Sequence, residues 1–363
     1  MTTMNNIPFK ATPPGVLIKD ELEARSDINQ KNLAREIGVK ASFLNEIIKG
    51  KRPVTADIAI LLEKTLGISA DYWMRFQSQY EIDKARVKEK NIKRLRNIEL
   101  WGIVKEYVPV KYFRKHKYLT DNLDSDIETI KDIYSAQTID ELISNAAKNK
   151  WALYRKSDKL KIDEKNMFAW SSLAYYEAKR QKTNTFNIDN IPQLCVDLNK
   201  VFHENNHTVE RVKKLLNQYG IKFITIEKLE KTPVDGFSFW SGNNPAVALT
   251  LRYSRIDNFA FTLLHEIGHI ELHLQNNKEA RFVDFSSDKR TGKLEKEADR
   301  FAQEKLIPDN IWEEINTNYL PLNDDKLIEM GNAYQINPAI LLGRICYETN
   351  NYAYKTKIDK KIK

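Results

Sequence analysis

The first eighty residues carry short apolar stripes at helical spacing, and this pattern constrains the fold of the chain most strongly. Leu33, Ala34 and Ile37 form one stripe, which Gly38 ends, as glycine does where φ becomes positive. The other stripes are Leu17, Ile18 and Leu22; Leu44, Ile47 and Ile48; Ile58, Leu61, Leu62 and Leu66; and Trp73, Phe76 and Tyr80. The pattern predicts a compact unit of five short α-helices, in which Thr55 caps the fourth.

Residues 28–52 read INQKNLAREIGVKASFLNEIIKGKR, which is a helix, a short turn at Gly38 and a second helix. This order is typical of a helix-turn-helix, whose second helix enters the major groove of DNA. The residues expected to contact DNA are Gln30, Lys40, Ser42, Phe43, Asn45, Lys49, Lys51 and Arg52. A small helical protein-interaction module is the alternative interpretation, because the motif alone is degenerate.

A wider resemblance supports DNA binding. From PPGVLIKDELEA to ADYWMRFQ, with the turn IKGKR between them, the chain closely resembles the HigA-type antitoxins of the Xre-like helix-turn-helix family. The resemblance covers about residues 12–80 and implies a lambda-repressor-like fold and binding to a double-stranded operator. It also implies a homodimer on half-sites about one helical turn apart, and a toxin partner.

Residues 81–190 are polar and rich in helical patterns such as DIETIKDIYS and NMFAWSSLAYYEAKR. Seven basic residues and one glutamate lie between Lys84 and Arg96. We expect a helical connector whose basic run adds phosphate contacts, the alternative being a solvated helix face. Beyond it, IKFITI, FSFW and AVALTLR alternate as strands, with the turn SGNNP between the last two. Residues 191–363 therefore read as a small α+β domain in a mainly α chain.

The segment FTLLHEIGHIELH contains the HExxH pattern His265-Glu266-x-x-His269. Residues four apart share a helix face, so both imidazoles can reach one metal ion. Glu266 lies beside them and can take a proton from water on that metal. His203 and His207 match the same pattern, but their Asn-Asn interior is a poor helix filler. We interpret this second match as chance, with Thr208 as the N-cap of the following helix.

We expect a third metal ligand in the segment TGKLEKEADRFAQEKLIP, which has a helical pattern. Glu295 and Asp299 share a face, so Glu295 can bind zinc while Asp299 orients a ligand histidine. Glu297 competes as third ligand from a neighbouring face, and a solvated helix face is the alternative for all three carboxylates. Cys195 and Cys346 lie far apart without a CxxC, which excludes a thiolate zinc site and the ligand pattern of nucleic-acid deaminases.

These two helices together resemble the ImmA/IrrE family of zinc metallopeptidases, through RIDNFAFTLLHEIGHIELH and LEKEADRFAQEKLIP. The resemblance covers roughly residues 195–350 and implies a zincin-like domain with one Zn²⁺ per chain. It implies His265, His269 and Glu295 as ligands and Glu266 as general base. AVALTLR resembles the edge strand along which such peptidases hold substrate. Tyr253 and His273 are candidate oxyanion donors, and His273 is otherwise taken as structural or peripheral.

These sequence patterns support two alternative functions. In the first, water on the zinc, activated by Glu266, hydrolyses a peptide bond in a cytoplasmic regulatory protein such as a repressor, or in this chain itself. In the second, the chain is a non-catalytic repressor or antitoxin whose C-terminal domain senses a ligand or binds a toxin.

Composition and charge bear on location and organisation. The net charge of +8 fits nucleic acid but also fits mere solubility. The chain has no apolar run of about 18 residues and opens without the apolar core of a secretory signal, so we expect a cytoplasmic protein without membrane contact. The predicted domains are residues 1–80, 81–190 and 191–363.

Overall fold

The computed structural model describes residues 10–148, 163–251, 254–285, 292–318 and 323–363. The chain separates into two compact units, Met1–Gly102 and Ile103–Lys363. The predicted division into three parts, at residues 80 and 190, stays a prediction.

The five helices predicted for the N-terminal region are confirmed, and a sixth follows them. Their bounds are α1 (Gly15–Ala24), α2 (Gln30–Glu36), α3 (Ala41–Ile48), α4 (Ala56–Leu66), α5 (Ala70–Arg86) and α6 (Glu89–Tyr107). Gly38 and Gly67 have φ of +70° and +75°, the left-handed conformation that ends a helix at glycine. Thr55 caps α4 as predicted, because its hydroxyl accepts a hydrogen bond from the amide of Ile58.

The core of this unit is made by the predicted apolar stripes. Leu33, Leu44, Leu62 and Trp73 are fully buried there. Helix α1 approaches the C-terminal end of α3 so closely that a Cβ on Gly15 would lie 2.3 Å from the carbonyl oxygen of Ile47. Glycine at this position therefore sets the distance between the two helices.

The second unit combines further helices with a four-stranded sheet. Its helices are α7 (Val110–Lys115), α8 (Leu123–Ile133), α9 (Ile139–Lys148), α10 (Glu164–Arg180), α11 (Ile191–Glu204), α12 (Thr208–Gln218), α13 (Ile256–His269), α14 (Lys293–Leu306), α15 (Asp309–Asn318), α16 (Asp324–Tyr334) and α17 (Pro338–Glu348). A 3₁₀ turn at Ile188–Asn190 precedes α11, and a π-helical turn at Ile270–Leu274 continues α13. The strands are β1 (Lys222–Thr225), β2 (Val234–Ser241), β3 (Asn244–Leu249) and β4 (Phe282–Phe285).

The strand order is β1-β3-β2-β4. β3 is parallel to β1 and antiparallel to β2, and a tight turn at Gly242, with φ of +67°, joins β2 to β3. The expectation that AVALTLR forms an edge strand is therefore wrong, since β3 lies between β1 and β2. β1 pairs with one edge of β3 and β2 with the other, so β3 lies inside the sheet, and β4 pairs with the free edge of β2.

Helices cover both faces of the sheet. Phe237 of β2 contacts Trp170 and Tyr175 of α10, with ring centroids 6.0 and 5.7 Å apart. The neighbouring Gly236 lies against Glu266 of α13 instead. Because successive side chains of a strand point to opposite faces, α10 and α13 lie on opposite sides of β2. The sheet thus forms a floor beneath the HExxH helix.

Helices α13 and α14 pack tightly against each other. A Cβ on Gly268 would lie 3.0 Å from Cδ1 of Phe301, so the glycine leaves room for the Phe301 ring. Leu263, Leu264 and Ile267 of α13 are completely buried. Among the described residues, none of the helices is long and apolar enough to cross a membrane.

We predict that Gly15→Ala lowers the free energy of unfolding by about 1–3 kcal/mol, the usual cost of overpacking. The added methyl group would collide with backbone carbonyl oxygens at the end of α3. Urea unfolding followed by circular dichroism measures the loss. Gly102→Ala in α6 is the matched control, because no described atom lies within 4 Å of its added Cβ. Equal stability of Gly15→Ala and the wild type would contradict the close approach of α1 and α3.

Candidate metal centre

Helix α13 carries the three polar residues of the HExxH pattern into the interior. His265 and Glu266 are 0% exposed and His269 is 1% exposed. Both imidazoles lie on one helix face, as the four-residue spacing predicts, and their Nε2 atoms are 3.1 Å apart. Burying polar groups without partners is costly, so the contacts that these side chains make decide what the site can do.

Helix α14 supplies a carboxylate to the same point. Glu295 Oε2 lies 3.3 Å from Nε2 of His265 and 3.6 Å from Nε2 of His269. The competing Glu297 lies elsewhere, with its Oε2 3.1 Å from Nε2 of His273. The structure thus brings Glu295, and not Glu297, to the two histidines.

The spacing of these three atoms fits zinc. Ligand atoms bound tetrahedrally at about 2.0–2.1 Å from Zn²⁺ lie about 3.3–3.4 Å from one another. The three distances here, 3.1, 3.3 and 3.6 Å, bracket that value. Two nitrogens and one carboxylate oxygen are also the ligand types that zinc hydrolases use. We call His265 Nε2, His269 Nε2 and Glu295 Oε2 the donor set.

Asp299, one turn beyond Glu295, fixes the ring of His265. The Nδ1–H of His265 donates to Oδ1 of Asp299 at 2.9 Å. A carboxylate at this distance accepts the proton-bearing nitrogen, which leaves the lone pair of His265 on Nε2. Asp299 therefore lies where the sequence places a residue that orients a ligand histidine.

The charge states of the donor set suit a cation. Burial lowers the pKa of His269, which keeps its imidazole neutral and its lone pair available. Burial raises the pKa of Glu295, but the neighbouring His265 and His269 lower it well below its usual range. Glu295 is therefore a carboxylate, and the donor set carries one negative charge.

Glu266, which follows His265 on α13, lies against the sheet. A Cβ on Gly236 would lie only 2.2 Å from Oε1 of Glu266, so the carboxylate occupies the space that a side chain would take. Burial raises the pKa of Glu266 to about 8, because the interior opposes the charged form. His265 and a hydrogen bond from Ser238 lower this pKa, but the effect of burial is larger. Such a group is suited to take up and release a proton near neutral pH.

Three further residues at the site were not found from the sequence. Gly236 had a recognisable signal, since a glycine within a strand pattern often marks a close backbone approach. Phe282 of β4 stacks on the His269 ring, with centroids 4.3 Å apart and planes 11° apart. Asp284, two residues further, is buried and lies within 4.8 Å of ligand atoms of His265 and Glu266. Strand β4 was too short to stand out in the sequence.

The two candidate oxyanion donors differ in placement. Both ring nitrogens of His273 contact protein groups, Nδ1 with His269 at 2.9 Å and Nε2 with Glu297 at 3.1 Å. Neither nitrogen of His273 is thus left to face a substrate. Tyr253 lies outside the described residues.

The second HExxH match does not lie on a continuous helix. Helix α11 ends at Glu204, and Asn205 and His207 take left-handed conformations with φ of 41° and 47°. His203 and His207 therefore do not share a helix face. The predicted cap is wrong in one detail: Thr208 is the first residue of α12, and His207 precedes the helix as its N-cap.

The residues predicted to contact DNA lie on and around α3. Lys40 directly precedes the helix, Ser42, Phe43 and Asn45 lie within it, and Lys49 ends it. Lys40, Ser42 and Lys49 are exposed, whereas Phe43 and Asn45 are half-buried. Their roles stay predictions.

The remaining predicted contacts flank this helix. Gln30 begins α2 and is half-buried, while Lys51 and Arg52 are exposed. The Arg52 guanidinium lies 5.1 Å from the centre of the Phe43 ring and pairs with Glu46 of α3. Arg52 thus makes two contacts with side chains of α3.

Two family models match separate parts of the chain. Residues 18–73 match the helix-turn-helix model, and residues 216–336 match the IrrE N-terminal-like domain of peptidase family M78. Both family resemblances inferred from the sequence are confirmed. The second match contains the donor set, Glu266 and Asp299.

Several similar proteins each match about a quarter of the chain. Virulence-associated protein I of Dichelobacter nodosus is 29% identical over 103 residues, which are 26% of this chain and 94% of that protein. The Pseudomonas aeruginosa antitoxin HigA, solved with its higBA promoter, is 34% identical and covers 24% of this chain and 91% of its own, with a TM-score of 0.22. A HigA-family addiction module antidote protein of Coxiella burnetii is 26% identical, covering 24% and 92%, also with a TM-score of 0.22.

We predict that Gly236→Ala destabilises the protein by about 1–3 kcal/mol, because its methyl group would collide with the Glu266 carboxylate. Glu266→Ala removes the colliding group, so Gly236→Ala should cost less in that background. A double-mutant cycle by urea unfolding measures this coupling, which we expect to be at least about 0.5 kcal/mol. Additive effects would show that Glu266 does not rest against Gly236.

Proposed function

We propose that this chain, which joins a helix-turn-helix domain to an IrrE N-terminal-like domain, is a DNA-binding regulator with a zinc-dependent peptidase activity. The observation that carries the catalytic part is the convergence of the donor set beside the buried Glu266. The proposed substrate is a peptide bond in a regulatory protein such as a repressor, or in the chain itself.

The proposed ligands are His265, His269 and Glu295, with one zinc ion per chain. A zinc ion there supplies Lewis-acid polarisation of a peptide carbonyl and of the attacking water. Asp299 holds His265 in the tautomer that presents Nε2. The burial of both histidines limits the access of bulk water and strengthens electrostatic interactions within the site.

Glu266 is the proposed general base. Its carboxylate accepts a proton as water adds to the carbonyl carbon, and the same proton then passes to the amine that leaves when the C–N bond breaks. The proposal is supported by the position of the buried Glu266 carboxylate beside His265 of the donor set. Gly236 contributes by leaving the space that the carboxylate occupies.

The N-terminal unit is proposed to bind a double-stranded operator through α3, as a homodimer. Exposed Lys40, Lys49 and Lys51 can contact phosphates, while Asn45 can read a base edge. The family match over residues 18–73 supports this proposal. The resemblance of residues 12–80 to HigA-type antitoxins motivates a search for a toxin partner.

For the catalytic part, we predict that Glu266→Gln keeps about one zinc per chain but lowers peptide cleavage by about 10²-fold or more. Zinc is measured by elemental mass spectrometry. Cleavage is measured by mass spectrometry of new termini, in the zinc-loaded chain itself and in an added peptide library. Glu304→Gln, an exposed residue of α14, is the matched control.

Two results would count against the peptidase. Cleavage by Glu266→Gln at the wild-type rate would exclude this residue as general base. A wild-type protein that holds zinc but cleaves neither substrate would favour the alternative, a non-catalytic repressor or antitoxin whose C-terminal domain senses a ligand or binds a toxin.

For the DNA-binding part, we predict that Asn45→Ala costs about 1–3 kcal/mol and relaxes specificity at one base position. Lys51→Ala should instead weaken all sequences equally and reduce the salt slope by about 1. The operator is first selected from random duplexes with the full chain. Lys64→Ala, exposed on α4, is the control. Undiminished specificity of Asn45→Ala would argue against its placement at a base.

A further inference from the structure

We propose that His273 and Glu297 form a relay that positions His269 in the metal centre. The inference rests on the proposed zinc site, but it concerns two residues that neither the HExxH pattern nor the donor set includes. We call these three side chains, His269, His273 and Glu297, the relay.

The relay is a continuous line of contacts leading from the donor set toward the surface. Nδ1 of His269 lies 2.9 Å from Nδ1 of His273, and Nε2 of His273 lies 3.1 Å from Oε2 of Glu297. The side chain of His273 is 6% exposed and that of Glu297 is 40% exposed. An imidazole buried this deeply is held in one orientation by its two partners.

The Glu297 carboxylate, at the outer end of the relay, determines which ring nitrogens of His273 and His269 carry protons. An ionised carboxylate only accepts hydrogen bonds, so Nε2 of His273 carries the proton and donates it to Glu297. The carboxylate of Glu297 is partly exposed to solvent and pairs with Lys293, which favours its ionised form. In a neutral His273, Nδ1 then has the free lone pair and accepts the Nδ1–H of His269. This leaves the lone pair of His269 on Nε2, where it faces the other two donors.

The relay orients the ring of His269, as Asp299 orients the ring of His265. Asp299 reaches Nδ1 of His265 directly, at 2.9 Å. No such carboxylate contact is formed at Nδ1 of His269 in the described part of the chain, where His273 takes that place. His273 thus spans the distance from His269 to Glu297 on α14. Histidine suits this position because it accepts on one nitrogen while it donates from the other.

The surroundings of His273 hold it as a positioning residue. It lies in the π-helical turn that continues α13, and its ring lies 5.4 Å from that of Phe282, which also stacks on His269. Lys293 lies 3.7 Å from the other oxygen of Glu297, Oε1, and leaves Oε2 to His273. Since both nitrogens of His273 have partners, the residue is not a fourth ligand.

The test is the zinc affinity of the full chain, measured by competition with a chelating dye. We expect His273→Phe to weaken zinc binding about 10–100-fold, the usual effect of removing a group that orients a ligand. His273→Asn should restore part of the affinity, because its amide oxygen can accept from His269. Glu297→Leu should weaken binding and Glu297→Gln less so, while Glu304→Leu, an exposed change on the same helix, should have no effect.

A second readout reports the relay directly. Nitrogen-15 NMR of the zinc-loaded wild type should show His273 protonated at Nε2 and unprotonated at Nδ1. The opposite tautomer of His273 would overturn the proposal, as would a His273→Phe protein that binds zinc within twofold of the wild type. If His273→Phe does not fold, His273→Asn and the tautomer decide the question. A wild type that binds no zinc would instead contradict the proposed function.

Discussion

Two imidazoles and a carboxylate meet in the interior of this protein, and the candidate metal centre depends on that convergence. The two imidazole Nε2 atoms lie 3.1 Å apart, and the Glu295 carboxylate lies 3.3 and 3.6 Å from them. A cation at their shared point would accept lone pairs from all three groups at once. The tight packing of α13 on α14, made possible at Gly268, holds the donors in place. Asp299 and the proposed relay then turn each ring so that Nε2 faces the shared point.

The sheet gives the site its second component. Strand β2 presents Gly236 beneath α13, and the missing side chain leaves room for the Glu266 carboxylate beside the donor set. Strand β4 adds Phe282 against the His269 ring. The sheet thus contributes the Phe282 ring and the backbone of Gly236 to the site. This setting removes Glu266 from water, and its pKa rises to about 8 as a consequence. The Glu266 carboxylate and the donor set therefore lie side by side: α13 carries Glu266 and both histidines, α14 adds Glu295, and β2 leaves room for Glu266.

Much of this architecture could be predicted from the sequence because its signals are local. Helical spacing and glycine stops located the five N-terminal helices, and four-residue spacing placed His265 with His269. The choice of Glu295 over Glu297 rested on helix faces and on a family resemblance, and the structure brings Glu295 to the histidines. The strand order could not be predicted, since β4 is only four residues long and pairing depends on contacts between distant segments. The relay was missed for a related reason: His273 has no meaning in the HExxH pattern until α14 brings Glu297 to it.

The central claim is that the donor set binds zinc, and X-ray absorption at the zinc K-edge of the zinc-loaded full chain tests it most directly. We expect a shell of nitrogen and oxygen at about 2.0–2.1 Å, with the outer-shell scattering typical of two imidazoles. The two cysteines, Cys195 and Cys346, are buried and free, so sulfur offers a clear contrast. A sulfur shell at about 2.3 Å, or a spectrum without imidazole scattering, would contradict the site described above.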